Sequence, residues 1–454
     1  MTLQDYTRNT LLVAIILTVS FFSPSDAVAV PSFARQTGMS CSACHTVFPE
    51  LRPFGRVFKL SGFVISRSDK PYQFPPPIAG MFQGSFTHTN RAQPSDTVDN
   101  VWSSNFTSAG NNNVSLPQQL SAFYGGKIFW KIGGLVQGTY DGVAEQVFLD
   151  NTDVRFADSL DLAGKKLIYG LTVNNAPTVE DVWNSTPAWG FPYASSGVAP
   201  TPAAGTLIDG GLSQQVGGVG LYGFWNNWIY AQAGVYRTAL KGVTEFLGAG
   251  TETDTVTDGA VPYWRLALQH QWGSHYFELG TYGLFANVFP GGSSSGPTDQ
   301  FWDVALDAEY QYLRGKHVFT AETTWIHENQ DWGASYTLGD ASNSSDSLDT
   351  FRFNLNYYYL SHIGTFGGTV GYFQTTGDSD SLLYSPDPVD GSRTGNPDSN
   401  GFLLQANYLP WERCKFALQY VIYDKFNGSS SNYDGFGRDA SDNNTLYFLV
   451  WVAF

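Results

Sequence analysis

The chain has 454 residues, a formal net charge of −16 and only 14 % charged residues, against 16 % aromatics and 48 glycines. Too few charges and too many aromatics exclude a disordered chain, and the acidic balance argues against nucleic acid as a partner. No apolar run beyond the N-terminus approaches the roughly 20 residues of a membrane-spanning helix, so a β architecture remains.

Taken in chain order, the first feature is export. Arg8 precedes an apolar run at residues 11–22, and Ala27-Val28-Ala29 follows with small residues at the two positions a signal peptidase reads. Residues 1–29 are therefore expected to be a cleaved secretory signal, and the mature protein to work outside the cytoplasm.

Cys41-Ser42-Ala43-Cys44-His45 comes next. This is C-x-x-C-H, the attachment pattern of a c-type haem. Each thiol adds across one haem vinyl group, and the adjacent imidazole reaches the iron. A disulfide, a redox C-x-x-C or a zinc half-site are the other readings, though zinc would need a second ligand pair and none lies nearby. A single such motif implies one covalently bound haem c. Met81 is the first candidate for a sixth iron ligand, His88 the second and an open site the third; Met81 also reads simply as a strand residue. Cys414 stands alone and is expected to be a free, buried or turn-associated thiol.

Residues 30–70 form a distinct head. They carry Arg35, Arg52, Arg56, Lys59, Arg67 and Lys70 against Glu50 and Asp69, a basic segment in an acidic chain. A short helix is expected over residues 53–60, with Pro53 in its first turn and Gly62 as terminator. Phe33, Phe48 and Phe54 are candidates to cover a porphyrin.

Residues 71–454 read as strands. Trp302, Val304, Leu306, Ala308, Tyr310 and Tyr312 alternate with Asp303, Asp307, Glu309 and Gln311, the period of two of a half-buried strand. The same alternation places Phe351, Phe353, Leu355 and Tyr357 opposite Arg352, Asn354 and Asn356. Sixteen such strands fit between residues 79 and 454, joined by short turns and long loops in strict alternation. That is the pattern of an outer-membrane barrel; a propeller or sandwich is the rival. The expected fold is thus mainly β, a sixteen-stranded antiparallel transmembrane barrel with a small helical haem domain plugging its lumen and both termini periplasmic.

Pro31-Ser32-Phe33-Ala34-Arg35-Gln36-Thr37-Gly38, the haem motif, Phe48-Pro49-Glu50-Leu51 and Phe54-Gly55-Arg56-Val57-Phe58-Lys59 together resemble the head of the fused monohaem cytochrome–porins of the outer membrane, known from iron-oxidising bacteria. Asn151-Thr152-Asp153 and Trp183-Asn184-Ser185-Thr186-Pro187 are similar too. The resemblance implies oxidation of extracellular Fe(II), with Cys41 and Cys44 binding haem, His45 ligating its iron, and the electron passing to a periplasmic carrier such as a cytochrome c. An outward conduit to an external acceptor, or a transport porin with a structural or sensory haem, are the alternatives.

Glu278, Asp303, Asp307, Glu309 and Glu322 fall on the polar face of three neighbouring strands, one acidic wall able to attract a basic head and a ferrous ion. The Pro-, Ala- and Gly-rich stretch 176–211 is expected to be an exposed outer loop, with a fold into the lumen as the alternative. Asp378, Asp380, Asp387 and Asp390 are hard-ligand candidates in another outer loop.

Overall fold

The computed structural model describes residues 31–64, 74–93, 110–238 and 255–454; the signal segment 1–29 and the end of the expected head at 65–70 lie outside the described residues. Among the described residues the strands are β1 (Ile78–Thr89), β2 (Asn112–Phe129), β3 (Ile132–Asp141), β4 (Gln146–Leu162), β5 (Lys165–Asn174), β6 (Val216–Trp225), β7 (Ile229–Thr238), the two-residue β8 (Val256–Thr257), β9 (Val261–Trp272), β10 (His275–Phe289), β11 (Asp299–Arg314), β12 (His317–Asp331), β13 (Ser345–Ser361), β14 (Gly364–Gly377), β15 (Ser399–Trp411), β16 (Cys414–Lys425) and β17 (Thr445–Ala453). β8 is a short addition at the β7–β9 and β9–β10 edge, so sixteen strands build the wall. Every neighbouring pair is antiparallel, and β1 pairs with both β2 and β17, which closes the sheet into a barrel without a free edge.

The alternation read from the sequence is the inside–outside alternation of this wall. On β11, Asp303, Asp307, Glu309 and Gln311 are buried inward while Trp302 and Leu306 are exposed outward. On β13, Asn354 and Asn356 face in, and Phe351, Phe353, Tyr357 and Tyr359 face out. Leu266, Leu268 and Trp272 on β9 and Phe448 on β17 extend the same outer apolar belt. A closed antiparallel wall with an apolar exterior and polar interior is the one arrangement in which strands satisfy every backbone group within a bilayer.

Tight turns join β2 to β3, β4 to β5, β6 to β7, β9 to β10, β11 to β12, β13 to β14 and β15 to β16, all at one end of the barrel. β1 starts and β17 finishes at that same end. One connection departs from the expected alternation. β3 and β4 are joined by residues 142–145 alone rather than by a long loop. Asp141 explains the economy: its Oδ1 accepts the N–H groups of Val143 and Ala144 at 2.7 and 2.9 Å, a turn chemistry specific to Asx side chains.

Among the described residues three helices precede the barrel: α1 (Pro31–Thr37), α2 (Cys41–Cys44) and α3 (Pro53–Leu60). α3 has the expected bounds, with Pro53 at its start and Gly62 left-handed just beyond its end (φ 70°). A fourth, α4 (Gly333–Leu338), caps the β12–β13 connection.

Candidate functional site

The head lies inside the tight-turn end of the barrel, and β11 shows what holds it there. Its inward residues engage successive layers. Gln311 Nε2 reaches Glu50 Oε1 at 3.4 Å, and Thr320 Oγ1 of β12 donates to the same oxygen at 2.5 Å. Glu309 receives Arg56 Nη2 on both carboxylate oxygens, at 2.5 and 2.6 Å. Asp307 takes the Ser185 hydroxyl at 2.5 Å and Arg265 Nη2 at 2.8 Å. Asp303 takes the Ile208 N–H at 2.7 Å. Eight residues at about 3.3 Å each make this column some 26 Å long along the strand. The acidic wall read from the sequence is therefore real, with Glu278 and Glu322 also buried and inward.

The partners Ser185 and Ile208 correct the expectation for residues 176–211, which run through the lumen rather than over the surface. Asp209 pairs with Arg352 of β13, Thr87 of β1 bonds Ser196 at 2.7 Å, and Gln419 of β16 donates to the Ala194 carbonyl at 3.2 Å. Small residues and prolines suit a chain that must turn repeatedly between close walls, as well as they suit an exposed loop. This lumen segment rests directly on the head. Lys59 Nζ donates to the carbonyls of Val179 and Asp181, both at 2.7 Å, and lies 4.7 Å from the centre of the Trp189 ring. The Leu51 N–H donates to Asn184 Oδ1 at 3.0 Å. Burial, followed by the nearby Arg155 cation, pushes the Lys59 ammonium down to about 8.

Between head, lumen segment and the walls β1–β4 and β17 is a cavity of about 410 Å³. Cys41, Cys44 and His45 all line it, as do Met81 and Met39. Its apolar lining includes Phe33, Phe48, Phe58, Phe63 and Phe123. Phe33 stacks on Phe63 at 5.5 Å and meets Phe58 edge-on at 5.3 Å. Phe33 and Phe48 sit where the sequence places them; Phe54 does not line the cavity, and Phe58 takes that role. The reason is the seating of α3. A Cβ on Gly55 would lie 2.4 Å from the Cys44 carbonyl oxygen, so α3 presses its glycine against the cysteine turn, and that phase turns Phe58 to the cavity.

The chemistry of these residues fits a covalently held c-type haem. Cys41 and Cys44 are free thiols. Burial raises both, Cys44 to about 11, with Glu412 a further cause at Cys41. His45 Nδ1 lies 3.2 Å from the Pro49 carbonyl. A carbonyl can only accept, so Nδ1 carries the proton and the Nε2 lone pair is the ligating one. Burial also pushes His45 below its ordinary range, which keeps the neutral, ligating form. The Cys41 N–H donates to Glu412 Oε2 at 2.9 Å, which fastens the motif to the β15–β16 turn.

Met81 is inward on β1, lines the cavity, and accepts a weak contact from Gln83 Nε2 at 3.8 Å. His88 is ruled out as the second choice. It falls on the opposite parity of β1 from Met81, on the outer face, where its ring donates to Asn112 Oδ1 at 2.8 Å. Cys414 is buried and free, immediately after the β15–β16 turn. Among the described residues no cluster of His, Cys, Asp or Glu is grouped to hold a metal ion. Asp378 and Asp380 are loop staples: Asp378 accepts the Ser347 N–H at 2.8 Å, and Asp380 accepts the N–H groups of Ser342, Asn343, Leu382 and Leu383. Phe63 and Trp189 were not singled out by sequence, and Lys59 was read only as one cation of the basic head. Glu412 gave no sequence signal at all, since it belongs to a hairpin turn far along the chain.

No protein-family model matches the chain, and no curated protein does. Among solved structures it is similar to the outer membrane channel DcaP of Acinetobacter baumannii (11 % identity, 83 % of this chain and 96 % of that one, TM-score 0.45). It is also similar to the anion-selective porin of Comamonas acidovorans (12 %, 83 % and 98 %, TM-score 0.44) and to a loop-deleted OmpT of Vibrio cholerae (10 %, 83 % and 98 %, TM-score 0.43).

Proposed function

We propose that the protein is an outer-membrane cytochrome–porin, both termini periplasmic, that oxidises extracellular Fe(II) and hands the electron to a periplasmic carrier such as a cytochrome c. One haem c, attached to Cys41 and Cys44 and ligated by His45, supplies one-electron redox chemistry when bound. The observation that carries this reading is the meeting of both thiols and the imidazole of C-x-x-C-H on one aromatic-lined cavity inside a closed barrel.

The outer apolar belt supports the membrane location, with outer-membrane lipid as the solvent of that face. The chain's own residues supply position and insulation. Arg56 and Glu50 dock the head on the wall, Lys59 ties it to the lumen segment, Glu412 fixes the cysteine turn, and His45 is oriented by Pro49. The lumen segment stacked on the head works as a plug, which favours an electron relay over an open transport pore. Acidic loops at the far end raise the local concentration of ferrous ions, the substrate.

Haem-staining of the denatured protein after expression with a c-type maturation system tests the reading. A covalent haem band in the wild type, absent from Cys41→Ser/Cys44→Ser, is the expected result. A wild-type barrel that folds without any haem band overturns it.

A further inference from the structure

The two ends of the barrel carry opposite charge. The longer connections carry Asp340, Asp387, Asp390, Asp434 and Asp439, with Asp331 and Asp346 at the strand ends beside them. The tight-turn end is basic. Lys131, Lys165, Lys166, Arg314, Lys316 and Arg413 all lie in or beside its turns, the first five exposed and Arg413 half-buried. Among the described residues few carboxylates stand near them: Asp158, taken by Lys131 at 2.5 Å, Glu412, taken by the Cys41 N–H, and Asp161. The cavity reaches the surface at this same end. Met39 and Ser40, which line it, are exposed, and Arg413 directly follows the Glu412 that holds Cys41.

We infer that this basic rim is the docking surface for an acidic, soluble one-electron carrier protein, seated over Met39 and Ser40; the inference rests on the electron-transfer reading above. Charge complementarity of this kind steers encounter and fixes orientation more than it adds affinity. A partner burying about 800 Å² on its own side spans much of the end of a sixteen-stranded barrel, so cations on opposite turns act on it together. The interactions are exposed and screened over about 10 Å at 0.1 M salt, which makes the complex weak and fast to part, as a relay requires. Anionic phospholipid is the competing occupant of cationic turns. The protein partner is favoured because the basic rim surrounds the cavity mouth, where a lipid headgroup has no function to serve.

The test uses full-length protein in nanodiscs of zwitterionic lipid. The probe is one soluble monohaem cytochrome c prepared in an acidic-surface and a basic-surface form, with binding read by calorimetry. The acidic form is expected to bind, about tenfold more weakly at 200 mM than at 20 mM salt. The variant Lys316→Glu/Arg413→Glu is expected to weaken it about tenfold more. Equal or tighter binding of the basic form, or no change in the variant, overturns the inference. So does absence of binding together with loss of co-purified anionic lipid from the variant, which would assign the rim to lipid. Binding is read whether or not the protein carries haem. An acidic form that binds but takes no electron from the dithionite-reduced protein leaves the docking surface standing and defeats the relay reading.

Discussion

Replacing Arg56 by methionine removes the one cation that Glu309 holds from the head. Both side chains are almost wholly buried, 3 % and 2 % exposed, and Arg56 also reaches Gln269 and Gln311 at 3.2 Å. Breaking a buried ion pair from one side costs about 3–5 kcal/mol, because the remaining charge is stranded. At about 1.4 kcal/mol per decade, the head should open roughly two to three and a half decades more often. Glu309→Gln alone should act in the same direction. The double variant Arg56→Met/Glu309→Gln removes both charges and should recover most of the loss, giving a large coupling in the mutant cycle. Hydrogen exchange of the amides in residues 51–60, measured in detergent, reads the opening directly. β14 and β15, three and four strands further round the wall, serve as an internal control. Exchange that rises less than about fivefold in Arg56→Met, or a double variant as open as the sum of the singles, would refute the claim that this pair seats the head.

Three further outcomes are expected. Excising residues 178–206 in favour of a short Gly-Ser linker should raise single-channel conductance from near zero to that of an open barrel; a still-closed channel would mean that the head alone seals the lumen. His45→Ala should leave the barrel folded, by heat-modifiable gel migration, while changing the absorption spectrum of attached haem; an unaltered spectrum would remove His45 from the iron. Asp380 gives a pH dependence. Although burial opposes it, the N–H groups of Leu383, Ser342 and Asn343 hold its carboxyl down to about 2, against 3.8 unperturbed. Its contribution is thus fully present above pH 3.8 and is lost as pH falls toward 2. Exchange at Ser342 and Asn343 should quicken across that window, and Asp380→Asn should abolish the dependence.

Much of the wall was legible in the sequence because a half-buried strand writes its two faces residue by residue. The alternation from Trp302 to Tyr312 falls within β11, Asp299–Arg314, and the Pro53 and Gly62 signals bound α3 correctly. The path of residues 176–211 was not legible. Its partners Thr87, Asp303, Asp307, Arg352 and Gln419 are spread over four strands, and its composition is equally that of a surface loop. The C-x-x-C-H residues stood out through spacing alone. What surrounds them did not: Phe58 supplants Phe54 because Gly55 packs on the Cys44 carbonyl, a contact that no periodicity reveals. His88 failed as a ligand candidate on parity, since Met81 and His88 are seven residues apart on one strand and so face opposite sides.

The most direct test of the central claim is anaerobic addition of Fe(II) to purified, oxidised, haem-loaded protein in detergent, followed at the haem absorption bands. The account predicts rapid reduction in the wild type, with His45→Ala as the control for the haem site. A haem that stays oxidised in Fe(II), yet is reduced by dithionite, would contradict ferrous-iron oxidation and leave the cavity to another donor.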